Sequence, residues 1–216
     1  MDHSDPDLHP RAPLIAAEAL CFSRGDEPIF GPMNFAVASG EVLMLEGGNG
    51  SGKTSLLRVL AGLLEATTGR VVRDGHNAPE SNAPLAFLGH SGGFKHDLSA
   101  RENLRFSARL CGLRHGTSIA SSLLSVGLEG FEDTPLRFLS AGQRKRATLA
   151  GVMMAPVALW LLDEPYANLD RNGHVLVDRM LETHSARGGA AVITSHGLSI
   201  PTLSRLTRLT MECAYA

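Results

Sequence analysis

The sequence predicts an α/β fold in which a parallel sheet carries a glycine-rich phosphate-binding loop, and three observations lead to it. Residues 47–54 fit the pattern G-x-x-x-x-G-K-[ST], whose glycines let backbone N–H groups close around a polyphosphate. An apolar run at 42–45 predicts a buried strand before the loop, and residues 55–61 predict a helix after it. Further along, the motif Leu-Ser-Ala-Gly-Gln at 139–143 precedes an apolar segment, 157–162, that ends in two acids.

Around the loop, the pattern is one of short strands and turns. Residues 1–13 are polar and contain prolines, which predicts a disordered tail ahead of a single domain at 14–216. Residues 14–41 contain short strand-like runs broken by turn-forming glycine and proline, so we expect an antiparallel β-layer that feeds the strand of the loop. Two more strands are expected after the loop helix, at 67–74 and 85–88.

The middle of the chain changes to a helical period, which predicts a helical subdomain at about 91–140 between the halves of the core. Ser99 is expected to cap its first helix, with Glu102 three residues on as the partner in a capping box. A second helix is expected over 118–126.

The last part of the chain alternates strand and helix again. The run 157–162 predicts a buried strand, Asp170 precedes a helical pattern, and the run 190–193 predicts another buried strand, closely followed by His196. A repeated strand–helix alternation around a phosphate loop is typical of an α/β nucleotide-binding core.

The two acids at the end of the 157–162 strand suit phosphoryl transfer. Asp163 can reach a magnesium ion directly or through water, and Glu164 can polarise an attacking water molecule. Such a pair taken alone is common at strand ends and is usually only solvated. His196 adds an imidazole that can donate a hydrogen bond to a terminal phosphate.

Taken in this order, the motifs resemble those of the ATP-binding cassette (ABC) ATPases over residues 14–199. The resemblance implies a P-loop NTPase fold of the ABC-cassette type, with an antiparallel β-layer and a helical subdomain, that hydrolyses ATP with Mg²⁺. The nucleotide-binding residues that it implies are those of the loop and of the helix start: Gly47, Gly48, Asn49, Gly50, Ser51, Gly52, Lys53, Thr54 and Ser55.

The same resemblance implies a role for each side chain around the phosphates. Lys53 would contact the β- and γ-phosphates, and Thr54 and Asp163 would bind Mg²⁺. Glu164 would be the general base, and His196 would sense the γ-phosphate.

The 139–143 motif corresponds to the signature segment of these ATPases, which caps the γ-phosphate bound by a partner cassette rather than by its own chain. A serine hydroxyl, a glycine N–H and a helix N-terminus can act together on such an anion. The resemblance therefore implies a homodimer with two composite sites. The residues that would act across it are Leu139, Ser140, Ala141, Gly142 and Gln143.

Three positions depart from the general cassette pattern. His90 follows the 85–88 strand where most members have a glutamine, and it is either an additional metal ligand or a solvent-facing side chain. Arg24 stands where an aromatic residue usually stacks on adenine; its guanidinium plane can stack, and Phe22 is a second candidate. Ala167 occupies a place where a hydroxyl residue is commoner.

Several segments resemble one branch of cassettes, the CcmA family, which is the ATPase subunit of a bacterial haem exporter in cytochrome c maturation. That resemblance implies a CcmB-like membrane subunit, CcmC-, CcmD- and CcmE-like partners, ATP-driven release of a haem-loaded chaperone, and a peripheral location on the cytoplasmic face of the inner membrane. The segments that carry it are 21–25, 29–35, 89–95, 98–106 and 139–146.

Composition narrows the alternatives. The formal net charge of −2 gives no overall attraction to nucleic acid. The three cysteines and nine histidines show no Cys-x-x-Cys-His spacing, so we expect reduced thiols and no directly bound haem. A small-molecule kinase would share the phosphate loop but not the 139–143 motif. A cassette that serves another cargo, such as a lipid, a metal or a peptide, shares every motif and stays the alternative.

Overall fold

The computed structural model describes residues 13–78, 81, 83–89, 93–195, 203 and 205–212. The chain before the phosphate loop forms two long antiparallel strands, each interrupted by shifts of register. With two shorter strands they make a four-stranded sheet in the order β2-β1-β4-β5. Its strands are β1 (Pro13–Arg24), β2 (Glu27–Ala38), β4 (Thr68–Arg73) and β5 (His76–Asn77). This is the antiparallel layer that the sequence predicts.

A second sheet of five strands carries the site, in the order β6-β7-β8-β3-β9. All of its pairings are parallel. Its central strands are buried along their whole length, as expected for a sheet covered on both faces. Its strands are β3 (Val42–Glu46), β6 (Leu85–Leu88), β7 (Leu159–Leu162), β8 (Ala190–Thr194) and β9 (Leu206–Thr210).

The helices pack on and beside this sheet, and in the described part of the chain none has the length and apolar character needed to cross a membrane. Ser99 and Glu102 form the predicted capping box at the start of α2, so this prediction is confirmed. The helix expected at 118–126 is also present, within one residue of its predicted ends. The helices are α1 (Lys53–Leu60), α2 (Ala100–Cys111), α3 (Ile119–Ser125), α4 (Ala141–Met154) and α5 (Arg171–Ala186), with a 3₁₀ turn at Leu136–Phe138.

The hydrophobic core has three parts. One lies between the antiparallel layer, the parallel sheet and α1, and includes Leu45 and Leu56. Another lies on the other face of the parallel sheet, under α4 and α5, and includes Met44 and Val177. A third is shared by α2, α3, the 3₁₀ turn and α4, around Leu104. The chain is thus an α/β cassette whose helices α2–α4 have a core of their own.

Two features differ from the sequence-based expectation: the start of the loop helix and the presence of an additional edge strand. The loop helix begins at Lys53, two residues early, because Gly52 with φ 89° turns the chain directly into the helix. The edge strand β9 was not expected, because its sequence Leu-Thr-Arg-Leu-Thr is short, half exposed and polar. It pairs in parallel with β3, next to the phosphate loop.

A buried aromatic pair lies between the start of strand β7 and the last turn of helix α5. The rings of Trp160 and His184 stack with their centroids 3.7 Å apart. His184 Nε2 lies 3.0 Å from the carbonyl oxygen of Ala158 and 3.3 Å from that of Ala190. Burial, reinforced by the Arg114 charge, lowers the pKa of His184 to about 4. The imidazole is therefore neutral at neutral pH.

We predict that this histidine makes the fold sensitive to mild acid. An unfolded imidazole takes up a proton near pH 6.5, whereas the folded one resists until about pH 4, so the stability from His184 is complete above pH 6.5 and falls as pH drops towards 4. The loss amounts to about 3 kcal/mol. The variant His184→Gln keeps a hydrogen-bond donor but cannot ionise. Its free energy of unfolding, measured by chemical denaturation, should therefore change less between pH 6.5 and 4 than that of the wild type. The exposed-site control His115→Gln should keep the wild-type slope; equal slopes for all three proteins would contradict the prediction.

Candidate functional site

The phosphate loop is held in shape by its own lysine. Lys53 Nζ donates to the carbonyl oxygens of Gly47 and Gly48, both at 2.7 Å, and to Ser51 Oγ at 3.3 Å. Gly47 has φ 148°, and a Cβ there would lie 2.4 Å from the carbonyl oxygen of Met211. The glycine is therefore required both by the backbone conformation and by the close approach of the chain that follows β9.

The N-terminus of α1 is suited to an anion. No acidic residue stands in the first turn of α1, and the helix begins directly at Lys53 and Thr54. A helix N-terminus with free N–H groups and a nearby ammonium favours phosphate over any other common ligand. In the open part of the loop, a Cβ on Gly48 or Gly50 would meet no atom within 4 Å, which leaves room on the outer side.

Two predicted magnesium ligands are in contact. Thr54 Oγ1 donates to Asp163 Oδ2 at 3.0 Å and lies 3.2 Å from Oδ1, although the two residues are 109 positions apart. Asp163 is 2% exposed and follows the last residue of β7. A hydroxyl beside a buried carboxylate provides the hard oxygen ligands that Mg²⁺ prefers. The residues present therefore fit the ion.

A residue that the sequence analysis did not single out, Thr194, completes this contact. Its hydroxyl donates to Asp163 Oδ1 at 2.8 Å and accepts from the backbone N–H of Glu164 at 2.8 Å. Thr194 is fully buried at the end of β8, next to β7 in the sheet. It therefore fixes both acids from the neighbouring strand. The signal available in the sequence was a threonine at the end of an apolar run, two residues before His196.

The position of Glu164 carries backbone strain. Its φ of 48° lies in the left-handed region, which costs a residue with a side chain about 1–3 kcal/mol. This left-handed conformation turns the chain sharply after β7. The hydrogen bond from its N–H to Thr194 helps to hold this conformation.

A second cation lies near the two acids. Lys145, in the second turn of α4, lines a cavity of about 320 Å³ together with Asp163 and Glu164. Burial lowers the pKa of its ammonium to about 8, although the two carboxylates act in the opposite direction. In the sequence, Lys145 stands out only as a member of the segment 139–146. The fold brings it close to the two acids that follow β7.

The two candidates for a contact with the base of a nucleotide, Arg24 and Phe22, differ in exposure. A cavity of about 310 Å³ is lined by the phosphate loop, Asp163 and the exposed Arg24. Phe22, by contrast, is 8% exposed and packs against Phe30 with ring centroids 5.9 Å apart. Arg24 is therefore available to a ligand on the loop, and Phe22 belongs to the core.

The 139–143 motif begins a helix. Ser140 is the N-cap of α4: its hydroxyl accepts from the N–H of Gln143 at 3.1 Å, and the Gln143 side chain accepts from the N–H of Ser140 at 2.9 Å. A Cβ on Gly142 would lie 2.9 Å from the carbonyl oxygen of Asn168, so only glycine fits. Leu139 is buried, whereas Ser140 and Ala141 are exposed. Within the described chain, no residue of the motif lines the cavity at the phosphate loop.

Two candidate residues, His90 and His196, lie outside the described residues, so their roles stay predictions.

Glu164 and Ala167 line the 320 Å³ cavity with Asn168. The site therefore joins residues from the ends of β3, β7 and β8, at the carboxyl edge where α/β sheets bind their ligands.

Comparison with known sequences shows the family of the chain. Residues 30–167 match the family of ABC transporter domains. A "Cytochrome c biogenesis ATP-binding export protein CcmA" of Xanthomonas campestris pv. campestris (strain 8004) is 51% identical over 212 residues, which cover 97% of this chain and 99% of that protein. The protein of the same name from Xylella fastidiosa (strain Temecula1) is 46% identical, over 91% of this chain and 93% of that protein.

Solved structures agree in fold. A putative ABC transporter ATP-binding protein from Pyrococcus furiosus superposes with a TM-score of 0.78, covering 91% of this chain and 96% of that one at 22% identity. A dimeric ATP-binding cassette in a post-hydrolysis state, bound to ADP and Pi, gives a TM-score of 0.79 over 93% and 96% of the two chains at 20% identity. At this identity the likeness shows the fold.

We predict that Thr194→Val slows ATP hydrolysis through Glu164. The variant keeps the shape but leaves the N–H of Glu164 unpaired and removes a donor to Asp163, so kcat should fall about 10- to 100-fold through misplacement of the two acids. The free energy of unfolding should fall by about 1–3 kcal/mol. Steady-state ATPase assays and urea denaturation measure the two effects. Thr207→Val, at an exposed threonine of β9, is the control; equal kcat values for both variants would contradict the prediction.

Proposed function

The chain belongs to the CcmA family of ABC transporter ATPases, and from this premise we propose that it is the ATP-hydrolysing subunit of a haem export complex in cytochrome c biogenesis. The observation that carries the catalytic part is the contact of Thr54 with Asp163, which joins the phosphate loop to the acids at the end of β7. ATP hydrolysis by this site would drive release of a haem-loaded chaperone.

Binding of ATP begins at the loop. The Lys53 ammonium, now shared among the carbonyl oxygens of Gly47 and Gly48, exchanges these partial charges for the full charge of the β- and γ-phosphates. The N–H groups at the start of α1 supply further hydrogen bonds. Arg24 lies at the same cavity and would stack on or beside the base.

Hydrolysis needs a polarised water molecule and a stable metal position. A Mg²⁺ ion would be held by Thr54 and Asp163 and would supply charge stabilisation of the phosphates. Glu164 accepts a proton from the attacking water, in an orientation set by Thr194. His196 would donate to the γ-phosphate, and His90 would act beside the metal or the attacking water, as the resemblance to the family implies.

A complete site requires two chains. Ser140 presents its hydroxyl and the N-terminus of α4 to solvent rather than to the loop of its own chain. We propose that the segment Leu139–Gln143 closes over the γ-phosphate bound by a second copy, which forms a head-to-tail homodimer. The structural relative in the dimeric state bound to ADP and Pi is consistent with this arrangement.

The membrane part of the exporter would come from other chains. We propose a CcmB-like subunit, joined by CcmC-, CcmD- and CcmE-like proteins, with this ATPase on the cytoplasmic face of the inner membrane. The helical block α2–α4, with a core of its own, is suited to transmit closure of the dimer to such a partner. A transporter for a lipid, a metal or a peptide would use the same site, but the curated relatives at about half identity carry the cytochrome c biogenesis name.

We predict that Glu164→Gln separates ATP binding from hydrolysis. The amide cannot take a proton from water, so turnover should fall by about 10²- to 10⁴-fold, whereas ATP affinity should change little. The trapped ATP should also stabilise the dimer. Filter binding, phosphate release and size-exclusion chromatography with ATP measure these effects. Glu129→Gln, at an exposed acid, is the control. Normal turnover of Glu164→Gln would reject the general-base assignment.

We predict that Lys53→Ala weakens ATP binding and hydrolysis strongly. The variant loses the only side-chain ammonium of the loop and three of the loop's internal hydrogen bonds. Titration with a fluorescent ATP analogue and an ATPase assay measure the loss, and Lys95→Ala, at an exposed lysine, is the control. Unchanged hydrolysis in Lys53→Ala would contradict the assignment of the whole site.

The partners are tested by affinity purification from native membranes. Tagged wild type and Glu164→Gln should both recover CcmB- and CcmC-like proteins, as identified by mass spectrometry. Recovery of a different permease would keep the ATPase and discard the haem export function. Recovery of ribosomal or DNA-bound proteins alone would reject transport.

A further inference from the structure

A groove along α5 shares no lining residue with the two cavities at the phosphate loop and the acids. It has a volume of about 610 Å³ and is lined by α3, α4 and α5. Along α5 its lining recurs every three or four residues, from Asn172 to Arg187, so it follows one face of the helix. Fifteen residues of helix span about 22 Å. A groove of this length fits an extended chain segment better than a compact small molecule.

The charge of the groove is one-sided: four arginines line it, namely Arg114, Arg146, Arg179 and Arg187, and its lining contains no acidic residue. Arg146 is paired with Asp170 at 2.9 Å, and Arg114 is bonded to the carbonyl oxygens of Ala155 and Val157. Arg179 and Arg187 form no ion pair within the described chain. The groove therefore offers two guanidinium groups to an anionic partner.

The cations of the groove also act on one another. Burial, followed by the charge of Arg187, lowers the pKa of Arg114. Beneath them, Trp160 Nε1 and His184 Nδ1 are buried and have no hydrogen-bond partner in the described chain. An anion that approaches the guanidinium groups reduces the repulsion between them.

Apolar side chains lie between these charges. Leu124 is 60% exposed and Val175 is 44% exposed, and both line the groove with Leu176 and Met180. An occupant that suits the surface therefore carries acids next to apolar groups.

The chain itself provides such a segment and delivers it to the correct end of the groove. Pro13 pairs with Ala38 at the edge of the antiparallel layer. The next residue, Ser39, donates to the carbonyl oxygen of Gly188 at 2.7 Å, and Gly188 directly follows Arg187. Residues 1–12 lie outside the described residues. Their attachment point, Pro13, is thus close to the end of the groove that Arg187 lines.

We propose that residues 1–12 of the chain bind in this groove, with Asp2, Asp5 and Asp7 facing its arginines and Leu8 among its apolar side chains. Twelve extended residues reach about 40 Å, which covers the 22 Å of the groove with length to spare. The tether supplies an effective concentration of roughly millimolar, so weak contacts suffice. The occupied groove joins α3 and α4 to α5.

The test is limited trypsin digestion of the full chain, because the segment contains one cleavable bond, Arg11–Ala12. The release rate of residues 1–11 is measured by mass spectrometry in low salt. Arg179→Gln/Arg187→Gln should raise this rate at least tenfold, and so should Asp2→Asn/Asp5→Asn/Asp7→Asn. The combined variant should be no faster than either, because both sets remove the same contact. Salt at 1 M should raise the wild-type rate similarly.

Controls and contrary outcomes are defined by the same assay. Arg58→Gln/Arg109→Gln, at two exposed arginines outside the groove, should leave the rate unchanged. Equal rates for wild type and Arg179→Gln/Arg187→Gln would overturn the proposal, as would additive effects of the two sets. Protection that disappears on dilution would overturn binding within one chain, because it would place the segment in the groove of a second copy. Thermal unfolding of each variant excludes general loss of structure.

Discussion

The hydrogen bonds around the Asp163 carboxylate are the constraint on which the rest of the site depends. Strands β3, β7 and β8 run in parallel, so the residues that follow them meet at one edge of the sheet. There the Asp163 carboxylate accepts hydrogen bonds from Thr54, the last residue of the loop motif, and from Thr194 at the end of β8. Because the carboxylate is almost fully buried, losing either donor would remove a hydrogen bond that water cannot easily replace. The loop, the acids and the central strands are therefore fixed relative to one another by one side chain.

The same geometry supports the proposed head-to-tail homodimer. The N-terminus of α4 and the Ser140 hydroxyl are exposed, whereas the loop cavity lies against β1, β2 and α1 of its own chain. Gly142 lies close to the carbonyl oxygen of Asn168. Asn168 stands two residues before Asp170, which is the N-cap of α5. The 139–143 segment thus lies close to the chain that follows Asp163 and Glu164.

The sequence predicted those parts of the fold that depend on local pattern. The loop motif, the capping box at Ser99 and the apolar strands each carry their own signal within a few residues. The position of Thr194 at the end of an apolar run is visible in the sequence, but the contacts of Thr194 and Lys145 depend on which strands and helices become neighbours. Strand β9 was missed for a related reason: its polar residues form a strand only because β3 offers an edge. The phosphate site could therefore be predicted, but the residues that position it could not.

Two lysines show how the resting site prepares for a highly charged ligand. Lys53 donates to two backbone carbonyl oxygens and to a serine hydroxyl, and a phosphate that replaces these three acceptors offers the ammonium a full negative charge. Lys145 is half-buried close to Asp163 and Glu164, and desolvation lowers the pKa of its ammonium. A divalent cation at Asp163 would repel this ammonium and attract the same carboxylate. In the proposed function, binding of Mg·ATP would therefore exchange interactions that the chain already makes.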